Sequence, residues 1–344
     1  MIERVYVLSH TDLDGYFSAG LVQHYIKLQN FETEVYHKSW TYGWNTPSVE
    51  YIKKNFDKVY IVDLCLPFEF MYALWEHFQD KFIWIDHHIK PDAEFLIKFH
   101  TLSSSEILGL RETREHTCSA ARLVFKYFEG ESRESALPYW LQYISDFDCW
   151  NRTNEKYWQN NVMPMFSKLK NEVTSPSTAY DYIKQKYDTG AFYNTEDGMC
   201  QLGKELDVGK IMYSDMKAAY NADAKHGFER TFLSYNRETI EIKPLKAWIC
   251  NTQNRSSVLF EDLPTRDNYD VFIPYHFNGE KYMYSMYTFK DTVHCNEISV
   301  LESVAVFYDD KDIVRTLQGA KRIVLSFNGH KDAAGANSEK FAFA

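Results

Sequence analysis

Three short stretches hold the residues with the greatest chemical reach. "SHTDLDG" brings together His10, Asp12 and Asp14, "KVYIVD" ends on Asp63, and "FIWIDHHIKP" runs from four apolar residues into Asp86, His87 and His88. In an extended exit loop alternate residues point the same way, so His10, Asp12 and Asp14 can share one side. Taken singly, a strand-ending aspartate reads first as a helix cap or turn former, and a lone His-His pair says little. Jointly the pattern has a cost, because each pair of carboxylates about 4 Å apart repels by on the order of 4 kcal/mol at an effective dielectric near 20. Such a cluster persists only if it is protonated, dispersed or neutralised by cations. Imidazoles interleaved with carboxylates point to divalent cations. An oxygen-rich set with a minority of histidine suits Mn²⁺ or Mg²⁺ better than structural Zn²⁺, which prefers Cys and His.

The elements that must position these groups follow from hydrophobic periodicity. "RVYVLS" (4–9), "TEVYHK", "KVYIVD" (58–63) and "KFIWID" (81–86) read as strands. "YFSAGLVQHYIKLQ" (16–29), "VEYIKKNF" and "FEFMYALWEHFQ" between them have helical spacing. Strands alternating with helices predict a parallel sheet with right-handed crossovers, whose ligands bind beyond the carboxyl ends of the strands. "TCSAARLVFKYF" (117–128) predicts a helix capped by Thr117 or Ser119, and "PYWLQYISDFDCW" (138–150) another with Pro138 near its start. The stretch 151–195 is poorly periodic, with a capped helix expected within "NEVTSPSTAYDYIKQKY"; residues 196–226 read as one long connecting helix. Beyond Phe228 the pattern turns to strands, with a hairpin at "FNGEKY" and a last strand at "RIVLSF" (322–327). "NGHKDAAGA" (328–336) is expected to be a glycine-punctuated loop that opens a short helix. The expected domains are 1–190, a helical connector 191–227, and 228–344. The fold class is α/β: a parallel-sheet domain, then a smaller α/β domain with a mixed sheet, and a cleft between them.

Composition narrows the field. The 344 residues exceed what one core usually spans. A net charge of −10 argues against a non-specific grip on long duplex DNA, which needs a basic face. The 25 Tyr and 24 Phe are core filler first and stacking platforms second. Six scattered cysteines without a CxxC pair suit free thiols in a reducing compartment. The amino terminus lacks a signal peptide's long apolar region, and no stretch approaches the roughly 18 apolar residues of a membrane span. A cytoplasmic protein with no membrane partner is expected.

The motifs also resemble a known family. "SHTDLDG" is similar to the HxDxD motif of the DHH phosphoesterases, "IVDLCLP" to their second aspartate motif, and "IDHH" to the motif that names them. "SAARLVFKYF" and "YISDFDCW" resemble the stretches that follow in short-oligonucleotide phosphodiesterases, the nanoRNases, and in RecJ-like proteins. "NGHKDAAG" resembles the GGHxxAAG loop of the first subtype of DHH-associated C-terminal domain. The resemblance implies two cations, Mn²⁺ first with Mg²⁺ or Co²⁺ as alternatives. By position, His10, Asp12 and Asp63 resemble the ligands of one. Asp14, Asp63, His87 and Asp146 resemble those of the other, with Asp63 bridging. His88 resembles the residue that meets the substrate phosphate, and Asp86 is expected to orient a ligating histidine. Gly329 and His330 are expected in a phosphate-binding loop with Lys331 beside them, and Asn328, where the family has glycine, tolerates the same turn. Arg255 in "CNTQNRSS" is a further phosphate or base contact. Asp148 reads as structural and Trp150 as core or pocket wall.

Such a resemblance implies phosphoester hydrolysis, in which two cations about 3.5–4 Å apart acidify a bridging water and hold the resulting hydroxide in line with phosphorus. Short oligonucleotides or small nucleotides are the first expected substrates. The alternatives are longer single-stranded DNA or RNA cleaved by an exonuclease, cyclic dinucleotides, 3′-phosphoadenosine 5′-phosphate, polyphosphate, or nucleotide binding without turnover. The family also allows a homodimer.

Overall fold

The computed structural model describes residues 2–41, 44–87, 118–130, 136–236, 238–239, 241–253, 260, 263–290, 292–301, 323–329 and 333–343. The chain divides into two compact units, Met1–Tyr213 and Ser214–Ala344.

The first unit is built on a four-stranded sheet of β1 (Arg4–His10), β2 (Glu34–Trp40), β3 (Lys58–Val62) and β4 (Phe82–Ile85) in the order β2-β1-β3-β4, all parallel. Helix α1 (Leu13–Gln29) connects β1 to β2, α2 (Val49–Asn55) connects β2 to β3, and α3 (Phe68–Phe78) leads to β4. The inner strands are apolar on both faces, as a sheet covered by helices requires. On one face Tyr6, Leu8, Val59, Ile61 and Trp84 pack with Ile52 of α2, with Phe56 just after it, and with Phe70, Met71 and Leu74 of α3. On the other, Tyr60 stacks on Phe128 of α4 (Ala120–Glu129), which in turn stacks on Tyr25 of α1. The register sets the strand ends level: Ser9 pairs with Val62 and Val62 with Ile85. The next residues are His10, Asp63 and Asp86, so three polar exits stand side by side on adjacent strands, about 4.8 Å apart.

The longer helices that follow in or leave this unit are α5 (Tyr139–Asp148), α6 (Met163–Glu172), α7 (Pro176–Asp188) and α8 (Glu196–Ala224). Ser119 caps α4, and Ser175 forms a capping box with Thr178 at the start of α7. The aperiodic sequence before α6 is a π turn at Trp158–Val162, which puts the helical spacing out of phase.

The second unit is an eight-stranded mixed sheet: β5 (Phe228–Asn236), β6 (Ile242–Asn251), β7 (Val271–Phe277), β8 (Tyr282–Tyr287), β9 (Ile298–Leu301), β10 (Ile323–Ser326), β11 (Asn328–Gly329) and β12 (Ala333–Ser338). Its order is β10-β9-β5-β6-β7-β8-β12-β11, with β6 and β7 the parallel pair. The β7–β8 turn is made by Asn278, whose side chain accepts from the Glu280 and Lys281 N–H groups, and by Gly279 at φ +101°. One expectation is corrected here. Ala333–Ser338 does not open a helix but pairs antiparallel with Tyr282–Tyr287 along its whole length. The unpaired edge of β8 offers a full ladder of backbone partners, which outweighs the helical preference of two alanines.

Among the described residues no helix is long and apolar enough to cross a membrane.

Candidate metal centre

His10 is the last residue of β1, and α1 begins three residues later. The turn is tight because Asp12 caps α1, its Oδ1 accepting from the Gly15 N–H at 2.9 Å. Glycine is needed at 15: a Cβ there would stand 2.5 Å from the His10 carbonyl oxygen. The same cap leaves Asp12 Oδ2 free to meet His10 Nδ1 at 2.5 Å. Burial works to raise the Asp12 carboxyl, but the hydrogen bond and charge of His10, with the Gly15 N–H, bring it down to about 2.

Asp14 lies in the first turn of α1 and is 1% exposed. Its oxygens accept from the Ala120 N–H (2.8 Å) and the Ala121 N–H (3.0 Å), so it is oriented by the amino end of α4. Asp63, also 1% exposed, follows β3 in the left-handed region at φ +58°, a conformation that aspartate tolerates better than most residues. Its backbone N–H donates to Ile85 O at 2.9 Å, which ties it to the exit of β4. Asp86 and His87, both buried, come directly after that strand.

His87 is where the groups meet. Its Nε2 lies 3.1 Å from Asp148 Oδ2, 3.3 Å from Asp63 Oδ1 and 3.9 Å from Asp14 Oδ2. Asp63 Oδ2 is in turn 3.9 Å from His10 Nδ1. The groups His10–Asp12–Asp63 and Asp14–Asp63–His87 each offer ligand atoms within 4.8 Å of one another, and Asp63 belongs to both. His87, Asp148 and Cys149 form a third such group among the described residues.

Asp146 is not brought to this rim. Its carboxylate accepts from Gln142 Nε2 (2.8 Å), Asn151 Nδ2 (3.0 Å) and Tyr157 OH (2.7 Å), and the position beside His87 is taken by Asp148 instead. Residues two apart on a helix project about 200° from each other, so only one of the two aspartates of α5 can face the strand ends. Asp148, expected as structural, is the one that does. Trp150, at φ +55°, packs on Trp158.

The electrostatics follow from this crowding. Burial pushes Asp63 well above the ordinary carboxylate range, and the neighbouring charges of Asp12, Asp14, Asp148 and Asp86 push the same way. Burial also raises Asp14, against the pull of His87. Carboxylates so close together require positive charge to ionise together. Four carboxylates and two imidazoles are a donor set that a hard or borderline divalent cation accepts.

No protein-family model matches the chain, and no curated protein matches it. Among solved structures it is similar to exonuclease RecJ bound to manganese, at TM-score 0.45 and 12% identity over 99% of this chain and 86% of that one. RecJ in complex with Mn²⁺ from Thermus thermophilus gives TM-score 0.39 at 12% identity, over 99% of this chain and 50% of that one. CDC45 from Entamoeba histolytica gives 0.38 at 9% identity, over 98% and 92%. At such scores the site has to be judged on its own residues.

Of the remaining expected site residues, Gly329 lies in β11, paired with Ala334 of β12. His88, Arg255, His330 and Lys331 lie outside the described residues. Gly15, Asp148 and the Ala120 and Ala121 N–H groups are the parts of the site that sequence reasoning did not assign. The "DG" step at a helix start is a usable signal for the first; nothing in the sequence points to the others.

Proposed function

We propose that the chain is a divalent-cation-dependent phosphoesterase that hydrolyses phosphodiester bonds of short oligonucleotides or small nucleotides. The observation that carries this reading is Asp63, a buried carboxylate shared by two ligand groups, one with His10 and Asp12 and one with Asp14 and His87. Asp148 Oδ2 meets His87, a member of the second group, at 3.1 Å, and is assigned the ligand role first expected for Asp146. A pair of bound cations, Mn²⁺ first, would supply the nucleophile and the positive charge that displacement at phosphorus needs.

The chain's own residues do the positioning. Asp63 ties the two halves of the rim together, and its left-handed backbone aims the carboxylate along the strand ends. The two N–H groups of α4 hold Asp14 in one orientation, and the Gly15 N–H does the same for Asp12. Asp86 is assigned to orienting a ligating histidine, and His88 to the substrate phosphate. His330, Gly329 and Arg255 are assigned to substrate binding by the second unit.

The test is turnover by the full chain on a panel of dinucleotides, longer RNA and DNA, cyclic dinucleotides, 3′-phosphoadenosine 5′-phosphate and polyphosphate, with Mn²⁺, Mg²⁺ or Co²⁺. Hydrolysis of dinucleotides that stops on chelation and is lost in Asp63→Asn is the expected result. No hydrolysis of any panel member, or hydrolysis that survives chelation, would overturn the reading. Preference for chains above about ten nucleotides would remove its short-substrate part.

A further inference from the structure

A cavity of about 490 Å³ opens beside the carboxylate rim. Asp12, Asp14 and Asp148 line it together with Phe147, Phe166 and Lys170. Phe147 sits between the two aspartates of α5, so the turn of the helix that sends Asp148 to His87 also brings its ring to the cavity. Phe166 comes from α6, directly after the π turn. The two rings stack, with centroids 3.5 Å apart and planes 12° from parallel, and both are half-buried. Fully buried Trp158 lies parallel to Phe147 behind them, at 6.1 Å and 14°. An aromatic stack with water-facing surface, anchored on a buried indole and opening beside a metal-type rim, needs an explanation beyond core filling.

We infer that this cavity receives the nucleobase carried by the phosphate at the rim, with Phe166, backed by Phe147, as its platform. The inference rests on the phosphoesterase reading and adds to it: the substrate must carry a base, and the base is read within the first unit. Three features favour a base over a chain of phosphates. The volume lies in the range that takes one small organic group. Lys170, with Nζ 5.8 Å from the Phe166 ring, is the one cation among the described lining residues, and three carboxylates outnumber it. A second and third phosphate would therefore meet repulsion and apolar wall, whereas a base gains stacking on any exposed ring face. Platforms of this kind accept every base, so preference should lie between base and no base rather than among bases.

The experiment measures binding of 5′-AMP and of ribose 5-phosphate to the full chain in Mn²⁺ by equilibrium dialysis, with dinucleotide hydrolysis followed in parallel. The two ligands share sugar and phosphate and differ by the base. Binding of 5′-AMP about tenfold tighter than ribose 5-phosphate is expected, with the ratio falling toward one in Phe166→Leu, which keeps apolar bulk and removes the π-face. Phe166→Tyr should retain the ratio. If Phe166→Leu does not fold, Thr174→Trp, on an exposed residue at the cavity's edge, should block 5′-AMP selectively. A ratio near one in the unmodified chain, or one unchanged in Phe166→Leu or Thr174→Trp, would overturn the subsite. Dinucleotide turnover with a ratio of one would leave the phosphoesterase standing and remove the base site. Base-dependent binding lost in Phe166→Leu, without turnover of any phosphoester, would do the reverse.

Discussion

His87 Nε2 lies 3.1 Å from Asp148 Oδ2, so the last residue of α5 closes a rim whose other members come from β1, α1, β3 and β4. The same helix turns Asp146 away, onto three protein donors. Two aspartates separated by one residue thus have separate jobs, and each job has its own signature.

Asp148→Ala should lower Mn²⁺ affinity by about tenfold or more while leaving the melting temperature of the cation-free protein unchanged or raised, because it removes a charge from a crowded cluster. Asp146→Ala should do the opposite. It strands Gln142, Asn151 and Tyr157 without their acceptor, at about 2 kcal/mol of stability. Isothermal titration with Mn²⁺ and thermal unfolding of both variants separate the roles; equal loss of Mn²⁺ affinity with no destabilisation in Asp146→Ala would return that residue to the metal.

Asp63→Asn keeps the shape of the side chain and its tolerance of a left-handed backbone while deleting the most crowded charge. Without cations the variant should be more stable than the unmodified protein, since burial and four neighbouring carboxylates all disfavour the ionised form. With saturating Mn²⁺ the order should reverse, because only the unmodified protein gains stability by binding. Melting curves with and without Mn²⁺ for the two proteins give the four numbers needed. A variant that is less stable than the parent in both conditions would show that Asp63 supports the fold.

Gly15→Ala places a methyl group 2.5 Å from the His10 carbonyl oxygen, against strand backbone that cannot easily move. A cost of about 1–3 kcal/mol is expected from the forced shift. The shift should also part His10 from Asp12 and weaken Mn²⁺ binding, which Ala at an ordinary helix position would not do. Titration and melting of Gly15→Ala beside Gly203→Ala, where a Cβ meets open space in α8, provide the comparison.

What the sequence made legible was the rim. Apolar runs ending in His10, Asp63 and Asp86 could be read as parallel strands, and parallel strands align their carboxyl ends whatever their exact register. The choice between Asp146 and Asp148 could not be read, because it depends on the rotation of α5 against the sheet. The cavity was hidden for a related reason: the π turn at Trp158–Val162 interrupts the periodicity that would have marked Phe166 as belonging to a helix. The strand at Ala333–Ser338 has no signature of its own in the sequence, since its small residues have no alternating pattern and only the edge of β8 selects its conformation.

His24 gives a prediction at some distance from the rim. It is 4% exposed in α1, stacked on Phe192 and set edge-on to Tyr25 and Tyr187, and among the described residues its Nε2 has no hydrogen-bond partner. Burial lowers its pKa to about 4, outweighing the nearby charges of Asp188 and Glu129. The unfolded chain takes up this proton near pH 6.5 and the folded one only near 4, so between those values the unfolded state binds more protons. Stability from the neutral ring is therefore full above about pH 6.5 and declines as pH falls through the window toward 4, by about 2–3 kcal/mol in all. His24→Leu removes the proton and should flatten that part of the curve: compared with the unmodified protein it should gain stability at about pH 5 relative to about pH 7.5. Denaturant unfolding of the two proteins at both pH values checks it. An unchanged difference would mean that the ring is already solvated or paired in solution and that the pH dependence lies in other groups.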